Sequence, residues 1–241
     1  MARGALVSRP TAGGVQPRRT ISPDETAPVR GADPFVPQTT SLRTLATAAQ
    51  DCRGCDLYKH ATQAVLGEGP KRARIMLVGE QPGDKEDVEG HPFVGPAGAL
   101  LDRALADAGL PRDDVFLTNA VKHFKWEPRG KRRIHKKPRV SEMRACRPWL
   151  EAELRAVKPT IVVCLGATAA QSVFGPQFKL MQQRGRVLPS ELSPRTVARI
   201  HPSAVLRSPD ADARRKAFET LVTDLRAARA ALESDRSGTP R

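Results

Sequence analysis

The chain has no apolar run approaching the roughly 20 residues that a membrane-spanning helix needs, so no such span is expected. No continuous apolar segment lies between Met1 and Gly14, so a secretory leader is not expected either. Cysteine is scarce, with four in 241 residues. In the reducing cytoplasm that these absences imply, the four are read as metal ligands rather than as disulfides. No internal repeat is visible. Acids are also in short supply: 26 Asp and Glu stand against 40 Lys and Arg, a net charge of +14. That balance favours nucleic acid or another anionic surface over acidic protein partners.

The shortage of acids is concentrated in one place. From Lys122 to Arg139 there are nine Lys/Arg and one acid, Glu127, so this strip carries +8 of the +14. A cationic strip of that density suits a polyanion. Pro128 and Pro138 bracket it and Gly130 breaks it, which predicts a shaped loop rather than a helix. Near its middle stands His135, for which phosphate contact has no need. On these residues alone it is open as a nucleophile, a base or a plain surface group.

The length fits one sizeable domain. Residues 1–38 are rich in Pro, Gly, Thr and Arg and read as a disordered tail, as do residues 234–241. Between them, residues 39–233 alternate strand and helix. Apolar runs at 74–79, 115–121, 160–165 and 196–200 suit buried parallel strands. Helices fit 40–51, 96–109, 140–157, 167–174 and 211–233, with Gly109 as a helix stop. This pattern predicts an α/β chain, with helices sandwiching a mostly four-stranded parallel sheet in three layers.

In such sheets ligands bind beyond the carboxyl ends of the strands. After the first strand stand Glu80, Gln81, Gly83 and Asp84. At the second stand Asn119, Lys122 and His123, and after the fourth His201, Pro202 and Ser203. Carboxylate, amide and imidazole groups thus converge on one edge, where the basic loop also lands.

The motifs that carry these residues resemble a known family. GEQPGDKED (79–87), HPFVGPAGALLD (91–102), TNAVKH (118–123) and HPSAVLR (201–207), with four spaced cysteines, are similar to the iron–sulfur uracil-DNA glycosylases of family 4. The KRRIH segment (131–135) is the mark of the UdgX class. The resemblance runs from about residue 40 to about residue 230. It implies the uracil-DNA glycosylase fold and enzymatic excision of uracil from DNA, with free uracil released.

On that resemblance, Phe93 stacks on the flipped base and Asn119 reads its edge as donor and acceptor. His201 lies by uracil O2, where charge develops as the bond to C1′ breaks. Gln81 and Gly83 bring backbone N–H groups to the pocket, and Asp84 either touches uracil or braces the loop. In the UdgX class His135 is the nucleophile and stays attached to the sugar, so the enzyme turns over once. Glu80 would orient it. Lys131, Arg132, Arg133, Lys136 and Lys137 serve as phosphate clamps and loop anchors. Val205 or Leu206 fills the space of the flipped base. His123 is given a structural or phosphate-contact role, and His91 shapes the loop that carries Phe93.

Cys52 and Cys55 form a C-x2-C knuckle, with Cys146 and Cys164 in later elements. Four thiolates suit either zinc or an iron–sulfur cubane. The spacing resembles the [4Fe–4S] site of family 4, which implies a cluster on all four. The expected partner is uracil-containing DNA, single-stranded by preference, bound by a monomer in the cytoplasm at the nucleoid. Two rival readings remain: a multiple-turnover glycosylase in which His135 only aids binding, and a non-catalytic iron–sulfur DNA-binding protein.

Overall fold

The computed structural model describes Met1 and residues 31–233. Its core is a five-stranded sheet in the order β2-β1-β5-β7-β6. Four strands run parallel: β1 (Ile75–Gly79), β2 (Val115–Asn119), β5 (Ile161–Leu165) and β7 (Thr196–Arg199). A two-residue antiparallel strand, β6 (Val187–Leu188), closes one edge. The first three strands are buried at every position, as strands covered on both faces must be.

Alternate side chains enter two cores. Val163 and Leu165 of β5 pack with α3 (Pro96–Asp107), α7 (Pro202–Leu206) and α8 (Ala211–Glu233). Val162 and Cys164 face the other way, toward α4 (Val140–Val157) and α5 (Ala167–Phe174). Beyond α4 a third cluster gathers around Trp149, fully buried, and α1 (Leu42–Ala49). A side chain of this size contributes on the order of 3 kcal/mol through burial, which ties the amino-terminal segment to the domain. The helix stop is a left-handed glycine, Gly109, with φ +69°.

The structure corrects the expected domain start. Residues 31–38 belong to the domain: the Gly31 N–H donates to the Gly54 carbonyl, that of Ala32 to Ala145, and Ala32 is buried. The expected tails, other than Met1 and residues 31–38, lie outside the described residues.

The basic strip is not a loop but a β-hairpin. β3 (Trp126–Arg129) pairs antiparallel with β4 (Arg132–His135), joined at Gly130 with φ +59°. A two-residue connection needs such a conformation. Pro128 is tolerated because these two strands form a sheet of their own, with edges on both sides. Two further helices, α2 (Asp84–Glu89) and α6 (Leu180–Gln183), are too short or too polar to be read from periodicity.

Candidate active site

The chain runs from β1 outward to β2, then back past β1 to β5, so the strand order reverses between β1 and β5. Crevices form at such switch points. Glu80 leaves β1 and Thr168 leaves β5, and the Thr168 hydroxyl donates to Glu80 Oε2 across the gap. The other carboxylate oxygen of Glu80 lies 3.4 Å from His135 Nε2. Thr168 is not among the residues expected from the sequence, although it too stands just past the carboxyl end of a parallel strand.

Around this pair stand the remaining candidates. Gly79 pairs with Asn119 in the sheet. A Cβ on Gly79 would lie 2.2 Å from Asn119 Oδ1 and 2.7 Å from the tip of the Phe93 ring, so both side chains press onto its bare Cα. Asn119 is 3% exposed, yet its side-chain amide makes no hydrogen bond among the described residues. Its donor and acceptor are therefore open to a ligand. Phe93 adopts φ +58°, a conformation costly for an aromatic residue and found mostly where a site demands it. Gly98 makes room for it, since a Cβ there would fall 1.6 Å from the Phe93 carbonyl oxygen.

The His201 ring lies 6.4 Å from that of Phe93, tilted by 27°. The Ser203 N–H donates to His201 Nδ1 at 3.1 Å, capping α7. Because Nδ1 accepts, the ring hydrogen sits on Nε2. Burial, with help from Arg207 and His135, lowers the pKa to about 4, so the ring is a neutral N–H donor at ordinary pH. Of the two wedge candidates, Val205 is fully buried in the core, whereas Leu206 is 37% exposed.

The hairpin that carries His135 is fastened to this edge from several sides. Gln81 Nε2 donates to the carbonyls of Lys125 and Lys136, and Gln81 Oε1 accepts from the Lys125 N–H. Its side chain therefore holds the two bases of the hairpin. Asp84 likewise braces: Arg133 bridges Asp84 at 2.5 Å and the buried Asp87 at 2.6 Å. The guanidinium also lies over the rings of Phe124 and Trp126, at 5.4 and 5.6 Å. Arg133 thus anchors the hairpin. Lys136 pairs with Glu127, while Lys131, Arg132 and Lys137 are exposed and make no ion pair among the described residues. Asp87 was also missed; it accepts from the Thr62 backbone and hydroxyl as well. His123 is buried, and burial lowers its pKa to about 4, so the structural role expected for it fits better than phosphate contact.

The cysteines divide. Cys52, Cys55 and Cys146 share the third cluster, and each of Cys52 and Cys55 pushes on the Cys146 thiol. Burial raises Cys55 to about 11 and Cys146 to about 12. N–H donors already point at two of the sulfurs: Trp149 Nε1 at Cys52 and the Lys122 backbone at Cys146, each at 3.2 Å. Cys164 sits instead in the core beneath α4 and α5, its thiol raised by burial alone. Cys164 packs against the inner side of α4, whereas the other three gather beyond that helix. Among the described residues no three His, Cys, Asp or Glu groups stand ready to hold a metal ion. The expected four-cysteine ligand set does not fit this arrangement.

The chain that builds this α/β sheet and its crevice matches, over residues 66–226, the model of the uracil DNA glycosylase superfamily, and it belongs to that superfamily. Within it, the chain is 39% identical over 176 residues to the type-4 uracil-DNA glycosylase of Archaeoglobus fulgidus, covering 70% of this chain and 85% of that protein. To the type-4 enzyme of Thermotoga maritima it is 34% identical over 181 residues, 75% of this chain and 91% of that one. Similarity to the type-5 uracil-DNA glycosylase of Thermus thermophilus, at 36% identity, extends over 45% of this chain and 53% of that protein.

Proposed function

We propose that the chain is a uracil-DNA glycosylase of the UdgX kind, which excises uracil and joins His135 to C1′ of the sugar left behind. The observation that carries this reading is the contact from Glu80 to His135, in the crevice that also holds Phe93, Asn119 and His201. The flipped base would stack on Phe93 and satisfy the idle Asn119 amide. As the glycosidic bond breaks, its electron pair moves to the uracil ring, and the neutral His201 N–H donates to the oxygen that gains charge. One nitrogen of His135 gives its hydrogen toward Glu80, leaving the other with a lone pair for C1′. The new C–N bond forms from that pair, and Glu80 takes up the proton that the ring sheds. The uracil anion takes up one proton from solvent as Glu80 returns one to it, so the proton lost by His135 balances the one gained by uracil.

Cys52, Cys55 and Cys146, which share one cluster beside Trp149 but do not stand as a ready metal site, are the cysteines that would hold an iron–sulfur group; Cys164 would not. No step above passes through that group. The partner is uracil-containing DNA, single-stranded by preference, with a monomer acting in the cytoplasm.

The test uses a single-stranded oligonucleotide with one uracil, incubated with the protein, boiled in detergent and run on a denaturing gel. A slow band that survives supports capture by His135. His135→Ala should lose the band, and water entering the vacated space should let uracil be released with turnover. A band that persists in this variant places the nucleophile elsewhere. DNA that becomes alkali-labile with no band favours ordinary turnover, and unchanged DNA defeats the enzymatic reading.

A further inference from the structure

Lys122 is fully buried, and all three hydrogens of its ammonium group are spent within the fold. Nζ donates to the Asn119 carbonyl at 2.7 Å, to Thr118 Oγ1 at 2.7 Å and to Glu153 Oε2 at 2.6 Å. Glu153, 1% exposed on α4, also accepts from the Thr118 hydroxyl, and with its other oxygen from the Gly67 N–H. Four segments therefore meet at one ion pair: β2, the turn after it, the 67 loop and α4.

The placement is informative. Asn119 is the last residue of β2, where the chain leaves the sheet and its backbone would otherwise be free to turn. The ladder to Gly79 holds it on one side, and Lys122 Nζ grips its carbonyl on the other. Its amide has no hydrogen-bond partner among the described residues, so the direction of that amide is set by the backbone it hangs from and by its packing on Gly79. An apolar pair of similar volume would commonly be at least as stable as a buried ion pair, so stability alone does not explain charge here.

We infer that Lys122 and Glu153 are positioning residues that fix the aim of the Asn119 amide in the base pocket. This rests on the glycosylase reading, in which that amide reads the base. A displacement of about 1 Å at such a contact can lower a rate by about a hundred-fold.

The experiment compares the full chain with Lys122→Met, Glu153→Gln and the double variant Lys122→Met with Glu153→Leu, by thermal midpoint, single-turnover uracil release and preference for uracil-containing over thymine-containing strands. Each single change strands a buried partner and should lower the midpoint. The double change removes both charges and should bring the midpoint back toward that of the parent. If the pair aims Asn119, the double variant still releases uracil about a hundred-fold more slowly and loses base preference, with its affinity for uracil-free DNA unchanged. A double variant with the parent's midpoint and the parent's rate overturns the inference. Should it not fold, the isosteric Glu153→Gln is read at a temperature where it is folded, and a parental rate and preference there overturn it equally. A parent that binds uracil-containing DNA selectively without cutting it defeats the glycosylase reading alone, and the preference then decides the inference. A parent that neither cuts nor selects uracil removes both.

Discussion

His201 joins fold and chemistry in one ring. Its Nδ1 caps α7 through Ser203, which leaves Nε2–H free to donate, and its burial keeps the ring uncharged. The consequence for stability follows from linkage. The ring's pKa falls from 6.5 to about 4 on folding, so as pH drops through 6.5 the unfolded chain takes up a proton that the folded chain refuses. The contribution is full above 6.5, fades on acidification and is lost near 4. Allowing for the partly open face of the residue, it amounts to about 2 kcal/mol. His201→Asn, which retains a capping side chain, should flatten the fall of the thermal midpoint between pH 6.5 and 4. Burial gives His123 a similar slope of its own, which would remain. An unchanged profile in His201→Asn would mean that the ring charges without cost. Uracil release should fall sharply in the same variant, because a neutral donor at the uracil oxygen is lost.

At the scale of elements, the long buried strands and helices were legible because burial writes a period into the sequence: α4, α5 and α8 fall where that period ends, and the four parallel strands lie within a residue or two of their apolar runs. Glu80, Asn119 and His201 were legible because strand ends gather ligands. The hairpin was not, since β3 and β4 are largely exposed and carry no alternating apolar pattern, with only Trp126 and Ile134 to mark them. The cysteines show a different limit. Spacing along the chain does not say which side of a helix two residues share, and α4 stands between Cys164 and the cluster around Trp149. If the proposed iron–sulfur group rests on Cys52, Cys55 and Cys146, replacing Cys164 with Val should leave the iron content of the purified protein intact, whereas Ser at 52, 55 or 146 should lower it. Loss of iron in Cys164→Val would restore the four-cysteine set.

For the molecule as a whole, the net charge of +14 overstates what faces DNA. In the basic strip, Lys122 is spent on Glu153, Lys125 on Glu142, Arg133 on Asp84 and Asp87, and Lys136 on Glu127. Arg129, Lys131, Arg132 and Lys137 are exposed and make no ion pair among the described residues, so these four are the cations the hairpin can offer to phosphates. Each phosphate contact adds about 0.7 to the slope of log affinity against log salt for a single strand, and about 0.9 for a duplex. Lys131→Ala and Arg132→Ala should each lower that slope by about one contact and weaken binding alike on strands with and without uracil. Arg133→Met should behave differently. Its guanidinium holds the hairpin to α2, and His135 closes the strand that Arg133 anchors. The salt slope should stay at the parental value while formation of the proposed His135 adduct slows, because on that proposal His135 loses its fixed approach to C1′ and not its attraction to DNA. A slope lowered as much by Arg133→Met as by Lys131→Ala would show that Arg133 meets a phosphate, and that the anchor gives way when DNA binds.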